Sequence, residues 1–242
     1  MTGVQTCALP ISALRSVNED GITPKEVTAV TIAQSHAEGS DISAVQTAVK
    51  AIAMKALLET GVVVAYNCRW VINGTGRFVV HGQVSDTSMT GRKLAVNQPS
   101  AGPYYACKMQ GGGSMIKCAH ASDLILSLAS RFIANVVCEA GLSTYAIVGC
   151  AGAIGQNTLQ SIFIKGDGEF SNVQERVQKF FIKNFDWSPI AIARLFGFFD
   201  ETFDFSEAVA DNFFGHPESQ PWENQEFVAA WASNLHKFLE GK

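Results

Sequence analysis

Apolar residues along the chain follow two different periods, and this change of period predicts where strands and helices lie. The stretch EVTAVTIAQSH (26–36) is rich in β-branched residues and predicts a buried strand. The next stretch, DISAVQTAVKAIAMKALLE, offers Ser40 or Asp41 as N-cap and places five apolar residues on one helical face: Ile42, Val45, Val49, Ile52 and Leu57. In RWVINGTGRFVV (69–80), two strand-like runs surround Asn73-Gly74, which predicts a β-hairpin.

The second half of the chain alternates between the same two patterns. After an irregular segment at 82–113, a helix is predicted at 122–140, followed by strands in TYAIVGC and LQSIFIKG. Three more helices are predicted, at 173–183, 189–196 and 225–239. Because strands and helices alternate in blocks, the chain is expected to form an α+β fold with helices packed on one face of a sheet.

Charge is distributed unevenly over the 242 residues. The net charge of −4 argues against a general binder of nucleic acid or anionic membranes, and no apolar stretch is long enough to span a bilayer. Five Lys and Arg face a single Asp between 77 and 117, whereas eight acidic residues and no Lys or Arg lie between 200 and 226. A basic middle in an acidic protein predicts a local anion site. The Phe residues interleaved with the acidic run predict a solvated face over an aromatic seam.

Cysteines and histidines predict no metal centre. The six cysteines form no CxxC pair and match no zinc spacing, so they are expected to be reduced thiols in a cytoplasmic protein. The five histidines are scattered without metal-ligand spacing.

Three glycine-containing stretches offer candidate anion sites. GCAGAIGQ (149–156) has dinucleotide-type glycines, but a predicted strand follows it where a helix is needed, which favours a plain connection. SDTSMTGRK (85–93) joins Arg92 to Lys93, which can clamp a polyphosphate, although solvated charges at a strand start fit the spacing better. QGGGSMIK (110–117) fits an anion loop and a flexible linker equally well.

Taken in order, these stretches resemble the S-adenosylmethionine synthetases (methionine adenosyltransferases). INGTGRFVVHGQVSDTSMTGRK is similar to the family's TGRF hairpin followed by GGP-x-GD-x-GLTGRK, and QGGGSMIK is similar to its HGGGAFSGKD loop. VTAVTIAQSH matches a strand ending in STQH, ASRFIANVVCEAGL matches AARYVAKN…AGL, GAIG matches YAIG, and NFFGHPESQPWE matches GHFGR…FPWE. The resemblance covers roughly residues 27–223.

The resemblance implies a reaction, cofactors and partners. The family transfers the adenosyl group of ATP to the sulfur of L-methionine and hydrolyses the tripolyphosphate to phosphate and diphosphate. It uses Mg²⁺ and K⁺, has three similar α+β domains, and builds each active site between two subunits. Residues 13–76 would then end the central domain and 77–242 would form the C-terminal domain. The full-length protein is expected to be a cytoplasmic homodimer or homotetramer that binds neither nucleic acid nor membranes.

The resemblance also implies roles for particular residues. Arg77 and Phe78 correspond to an Arg-Phe pair that contacts ATP, and Asp86 to an aspartate that binds nucleotide and methionine. Arg92 and Lys93 correspond to a phosphate-binding pair.

The same alignment extends into the three-glycine loop and the helix after it. Ser114 takes the place of an ATP-binding alanine after the glycines. With one deletion, Lys117 matches a phosphate-binding lysine and Asp123 a magnesium-binding aspartate, while Ala121 replaces a methionine-contacting lysine.

In the implied reaction, charge develops on the expelled tripolyphosphate, so cations must already be placed there. Arg92, Lys93 and Lys117 are therefore the implied catalytic residues. No protein nucleophile is needed, because the methionine sulfur is one itself. Several glycines of the family pattern are replaced, and these larger side chains favour an alternative: a degenerate, non-catalytic homologue acting as a nucleotide-binding or regulatory subunit. The replaced positions are His81, Gln83, Ser85 and Ser88.

The opening stretch MTGVQTCALPIS has neither an apolar repeat nor the features of a secretory signal. It is similar to a translated sequencing-library adapter, so residues 1–12 are expected to be a reading artefact and the remainder part of a longer protein. The family's HPDK-type histidine and DAK-type lysine have no counterpart in the chain. By itself, the chain is therefore expected not to form S-adenosylmethionine.

Overall fold

The chain divides into two compact units. The computed structural model describes residues 11–17, 24–81, 122–153, 155–210, 213 and 215–241. The first unit takes in Met1–Gly113 and Ala153–Gly155, and the second takes in Ser114–Gly152 and Gln156–Lys242. The predicted family-domain boundary between residues 76 and 77 remains a prediction.

The first unit contains a three-stranded sheet and one long helix. Strands β1 (Ile11–Val17), β2 (Pro24–Ile32) and β3 (Val64–Ile72) lie in the order β1-β2-β3. β1 pairs antiparallel with β2, and β2 pairs parallel with β3. The helix α1 (Ile42–Glu59) connects these two parallel strands. A crossover connection of this kind is required because parallel neighbours cannot be joined by a tight turn.

Helix α1 begins at the predicted capping position. Asp41 is its N-cap, and a carboxylate oxygen of Asp41 accepts a hydrogen bond from the Ser43 N–H at 2.9 Å. One face of α1, with Val49 and Leu57, packs on the apolar face of β2 and on Ile72. Ile52, which the sequence pattern predicts on the packed face, is 70% exposed.

The predicted hairpin around Asn73-Gly74 does not form within the described residues. β3 ends at Ile72, and residues 73–81 continue as a turn and irregular chain. Asn73 has φ 47°, in the left-handed region, which redirects the chain. The main chain of Phe78 then pairs with His36, so it does not fold back along β3.

The second unit contains a two-stranded sheet surrounded by helices. α2 (Ser122–Glu139) precedes the antiparallel strands β4 (Ala146–Ala151) and β5 (Ser161–Gly166). Four helices follow: α3 (Gln174–Asn184), α4 (Pro189–Leu195), α5 (Phe205–Ala210) and α6 (Gln225–Glu240). Short 3₁₀ helices lie at Gly168–Asn172 and Pro221–Glu223. The predicted strands and helices of this half are confirmed, whereas α5 and the two 3₁₀ helices were not predicted. The α+β fold class is confirmed as well.

Aromatic side chains form much of the second unit's core. The ring of Phe132, on the fully buried face of α2, stacks on Phe227 at a centroid distance of 5.1 Å and meets Trp231 edge-on at 5.7 Å. The aromatic seam predicted along the acidic segment is present, because Phe198 stacks on Phe203 at 5.0 Å. Phe199 departs from it and is 63% exposed.

Among the helices of the described chain, none is both long enough and apolar enough to cross a membrane.

Candidate functional site

Two chain segments of the first unit meet beside the sheet, and they contain the first pair of predicted site residues. Because β2 and β3 are parallel, the segments that follow them leave the same edge of the sheet. These segments are residues 33–38 after β2 and residues 73–81 after β3. We call this region the β2–β3 edge. It contains Arg77 and Phe78, which the family resemblance associates with ATP.

Asn73 fixes the start of the second segment. Its side-chain Oδ1 accepts a hydrogen bond from the Gln34 N–H at 2.7 Å, and its Nδ2 donates to the Gln34 carbonyl at 2.8 Å. The Asn73 side chain therefore occupies the place of a strand partner opposite Gln34. Asn73 is 5% exposed, so water does not compete strongly for these two bonds.

The turn after Asn73 is closed by glycine and anchored to the helix. The Gly76 N–H donates to the Asn73 carbonyl at 2.7 Å, and Gly76 has φ 79°, a conformation that favours glycine. The Gln46 side chain of α1 donates through Nε2 to the Ile72 carbonyl at 2.8 Å. The turn that precedes Arg77 is thus fixed by a hydrogen bond within the turn and by a hydrogen bond from helix α1 to the residue before it.

Gly155, which is grouped with the first unit, lies against the same turn. A Cβ atom on Gly155 would come within 2.3 Å of the Gly74 carbonyl oxygen. The last glycine of GCAGAIGQ therefore permits the backbone at residue 155 to approach the backbone at residue 74 closely. Residues 156–160 are bends and irregular chain that lead into β5, so a dinucleotide-type helix does not follow.

Both main-chain groups of Phe78 are bonded to one residue. The Phe78 N–H donates to Nε2 of His36 at 3.0 Å, and the Phe78 carbonyl accepts from the His36 N–H at 3.0 Å. This pair of bonds fixes the backbone of the Arg-Phe segment against residues 33–38.

The guanidinium of Arg77 lies on the surface of the β2–β3 edge. Its Nη2 is 2.8 Å from a carboxylate oxygen of Glu38, and the Arg77 side chain is 69% exposed. Exposed ion pairs of this kind contribute little stability, about 0 to 1 kcal/mol. Glu38 can therefore be displaced by a stronger anion, and a guanidinium can bind phosphate oxygens through two donors.

Among the other predicted site residues, only Asp123 belongs to the described part of the chain. Asp86, Arg92, Lys93, Ser114 and Lys117 lie outside the described residues, so their roles remain predictions. Asp123 falls in the first turn of α2. The described parts of the chain contain no group of three His, Cys, Asp or Glu arranged to hold a metal ion. The expected Mg²⁺ and K⁺ sites also remain predictions.

Three residues of this edge, Gln34, His36 and Glu38, were not predicted to have a role at the site. Gln34 and His36 lie at the end of the stretch similar to the family's STQH strand, and Glu38 lies two residues beyond it; this similarity is the signal that could have identified them. Their importance comes from pairing across 39 and 42 positions of sequence, which local patterns do not encode.

A separate polar cluster in the second unit is structural. The Asp167 carboxylate accepts hydrogen bonds from the hydroxyls of Ser143 and Thr144 and from the Thr144 N–H, the last at 2.8 Å. These bonds, that of Ser143 foremost, lower the pKa of Asp167 to about 2. The cluster joins the chain before β4 to the chain after β5.

A buried carboxylate holds the GHPESQPWE stretch to α2. Glu223 accepts from Nε of Arg131 at 2.8 Å and from the Gly215 N–H at 2.7 Å, with only 5% of its side chain exposed. Next to it, the Trp222 indole N–H donates to the Phe213 carbonyl at 2.6 Å. Both acceptor oxygens of Glu223 are therefore used within the fold.

Comparison with known proteins places these features in a family. The sequence profile described as "S-adenosylmethionine synthetase, C-terminal domain" matches residues 80–224, which is more than half of the chain. The chain therefore belongs to the S-adenosylmethionine synthetase family.

Individual relatives are similar at low identity. The S-adenosylmethionine synthase of Acholeplasma laidlawii is 30% identical over 218 residues, covering 88% of this chain and 53% of that protein. The synthase of a Nocardioides species is 31% identical over 172 residues, covering 71% and 42% respectively. The chain thus spans about half the length of the curated relatives it matches. Among solved structures, an S-adenosylmethionine synthetase from Campylobacter jejuni aligns with a TM-score of 0.44 and 24% identity over 87% of this chain and 54% of that one.

Proposed function

We propose that this chain is part of a methionine adenosyltransferase, which forms S-adenosylmethionine from ATP and L-methionine with release of phosphate and diphosphate. Family membership supports the transferase class. The observation that carries the proposal is the β2–β3 edge, where the fold fixes Phe78 by two main-chain bonds and leaves the Arg77 guanidinium at the surface. This is an arrangement suited to a nucleotide.

The role proposed for Arg77 follows from its chemistry. Its planar guanidinium presents paired donors that match phosphate oxygens, and its partner Glu38 is an exposed carboxylate that a polyphosphate can replace. Phe78 is the next residue in sequence, and its aromatic ring would supply a stacking contact. The two residues would therefore provide one charged and one stacking contact.

In the proposed reaction, the methionine sulfur displaces tripolyphosphate from the ribose carbon of ATP. Negative charge grows on the leaving phosphate oxygens, so pre-positioned cations lower the barrier. Arg92, Lys93 and Lys117 would take this role, while Asp86 would bind nucleotide and methionine and Ser114 would contact ATP. The protein needs no nucleophile of its own.

The proposal also includes metal ions, and it assigns one of them to a carboxylate. Asp123 would hold Mg²⁺, because hard oxygen ligands suit that ion, and its place in the first turn of α2 keeps its backbone position fixed. When bound, Mg²⁺ neutralises charge on phosphate oxygens. K⁺ is proposed for the enzyme without an assigned residue. The full-length enzyme is proposed to be a cytoplasmic homodimer or homotetramer.

A second candidate function is a non-catalytic homologue that binds nucleotide as a regulatory or structural subunit. Ala121, at the position of a methionine-contacting lysine, favours it, as do the side chains at the replaced glycine positions. This candidate keeps ATP binding but loses the transfer of the adenosyl group.

One preparation of the full-length protein that contains this chain tests both candidates. Binding of ATP is measured by calorimetry, and S-adenosylmethionine formed from ATP and L-methionine is measured by mass spectrometry. Product that disappears in Lys93→Ala supports the enzyme. ATP binding without product supports the non-catalytic subunit, and the absence of both contradicts both candidates.

A further inference from the structure

The imidazole ring of His36 uses both of its nitrogens. Nε2 lies 3.0 Å from the main-chain nitrogen of Phe78, and Nδ1 lies 3.0 Å from the carbonyl oxygen of Ala37. The His36 N–H also donates to the Phe78 carbonyl at 3.0 Å. His36 is therefore the residue that fixes both polar groups of the Phe78 backbone.

These partners determine where the imidazole proton lies. A main-chain N–H can only donate, so Nε2 opposite Phe78 must be the unprotonated acceptor. A carbonyl oxygen can only accept, so Nδ1 opposite Ala37 must carry the hydrogen. The geometry thus requires the neutral ring in its Nδ1–H tautomer, since a doubly protonated ring would point a donor at a donor.

We propose that His36, as the neutral Nδ1–H tautomer, is a positioning residue that fixes the Arg77–Phe78 segment for nucleotide binding. The inference rests on the proposed function in one respect, namely that ATP contacts this segment. Arg77 is included because it precedes the doubly bonded Phe78, so its backbone is fixed at the peptide they share. Protonation of His36 at Nε2 breaks the bond to the Phe78 N–H and frees that segment.

The described ionisable groups along the two segments do not replace this bond. Glu38 lies on the segment of His36 and Arg77 on the facing segment, and these two are paired with each other at 2.8 Å. His81 bonds through Nδ1 to the Val79 carbonyl of its own segment at 2.8 Å.

Two variants of His36 distinguish the effect of losing the hydrogen-bond acceptor from the effect of losing the volume of the ring. His36→Gln retains a side-chain oxygen that can reach the Phe78 N–H, whereas His36→Phe keeps a ring of similar size without any acceptor. His236→Phe, on the exposed side of α6 in the second unit, is the matched control for losing a histidine.

The first readout requires no nucleotide. Nitrogen-15 NMR of the histidine side chains is expected to show His36 as the Nδ1–H tautomer, and the Phe78 amide is expected to exchange slowly with solvent. In His36→Phe the Phe78 amide should exchange faster, while His36→Gln and His236→Phe should retain protection. Lowering the pH until the imidazoles are doubly protonated should release the Phe78 amide in the wild type but not in His36→Gln. A His36 in the Nε2–H tautomer, or equal Phe78 exchange in wild type and His36→Phe, would overturn the inference.

The second readout is the dissociation constant of ATP. His36→Phe is expected to bind ATP roughly three- to tenfold more weakly, the effect of one hydrogen bond, with His36→Gln and His236→Phe close to the wild type. If His36→Phe loses Phe78 protection but binds ATP normally, the positioning role is wrong and the proposed function stands. If the wild type does not bind ATP at all, the positioning of the segment for nucleotide is refuted together with the proposed function, whatever the tautomer.

Discussion

The side-chain amide of Asn73 pairs with the main chain of Gln34, accepting from its N–H at 2.7 Å and donating to its carbonyl at 2.8 Å. The pairing is possible because Asn73 adopts a left-handed φ of 47°, which Asn tolerates better than most residues. It joins the ends of the parallel strands β2 and β3. The position of the Arg77–Phe78 segment depends on this join.

Asn73→Gly is expected to destabilise the first unit. Glycine accepts the left-handed backbone readily, but both bonds to Gln34 are lost, and leaving these partly buried main-chain groups unpaired costs about 1 to 3 kcal/mol. Urea denaturation followed by circular dichroism measures the change. Asn73→Asp, which keeps only the acceptor, should fall between wild type and Asn73→Gly. Equal stability of all three would show that the pairing contributes nothing.

Asp167→Asn is expected to lower the free energy of unfolding at neutral pH. In acid, the variant and the wild type are expected to become equally stable. The hydroxyls of Ser143 and Thr144 and the Thr144 N–H lower the pKa of Asp167 from 3.8 to about 2. Because the folded-state pKa is depressed, the stabilisation is present above about pH 4 and is lost as the pH falls through about 2.

Carbon-13 NMR of the Asp167 carboxyl measures that titration directly, with an expected midpoint near 2. The stability difference between wild type and Asp167→Asn should narrow over the same pH range. The exposed Asp186, whose side chain accepts from the Ser188 N–H at 2.9 Å, provides a comparison in Asp186→Asn. A midpoint for Asp167 near that of a free aspartate would contradict the hydrogen-bond account.

Gly149→Val is expected to disrupt the β4–β5 pair. Gly149 lies opposite Phe163, and a Cβ atom at residue 149 would come within 2.0 Å of the Phe163 ring. The ring must leave its position over the glycine, at a cost of about 1 to 3 kcal/mol. The melting temperature should fall in Gly149→Val and recover in part when Phe163→Leu is added. An unchanged melting temperature for the single variant would show that the ring moves freely.

Arg131→Met is expected to destabilise the second unit. Glu223 is buried and would keep only the Gly215 N–H, so its carboxylate would lack a cationic partner. Removing one member of a buried pair costs about 3 to 5 kcal/mol, and the half-exposed Arg131 places the expected loss at about 1 to 3 kcal/mol. Chemical denaturation measures it. Adding Glu223→Gln to Arg131→Met should restore part of the loss, because the unpaired charge is removed; an additive result would contradict this explanation.

The sequence predicted the long periodic elements well and the turns poorly. α1, α2 and β5 were predictable because their apolar residues repeat with a clear period, and Asp41 marks the start of α1. The hairpin at Asn73-Gly74 was wrong because the same dipeptide also permits a left-handed turn away from β3. Only the distant partner Gln34 decides between the two outcomes.

The candidate site was only partly predictable, because some of its residues belong to a local motif and others depend on contacts between distant parts of the chain. Arg77 and Phe78 were identified by resemblance to a motif, and the structure places them at the edge where β2 and β3 end. The role of His36 depends on a contact across 42 positions and on the tautomer of its ring, which no local pattern carries. The strand β1 was missed because its pairing with β2, not its own composition, defines it.

The most direct test of the proposed function is the affinity of the full-length protein for ATP, measured by calorimetry in three proteins. These are the wild type, the double variant Arg92→Ala/Lys93→Ala, and Lys179→Ala/Lys183→Ala on α3, which removes the same charge far along the sequence from the predicted clamp. We predict at least about tenfold weaker binding in the Arg92/Lys93 variant, because charge-assisted contacts to phosphate are lost, and unchanged binding in the α3 variant. Equal affinity in both double variants, or no ATP binding by the wild type, would contradict the account.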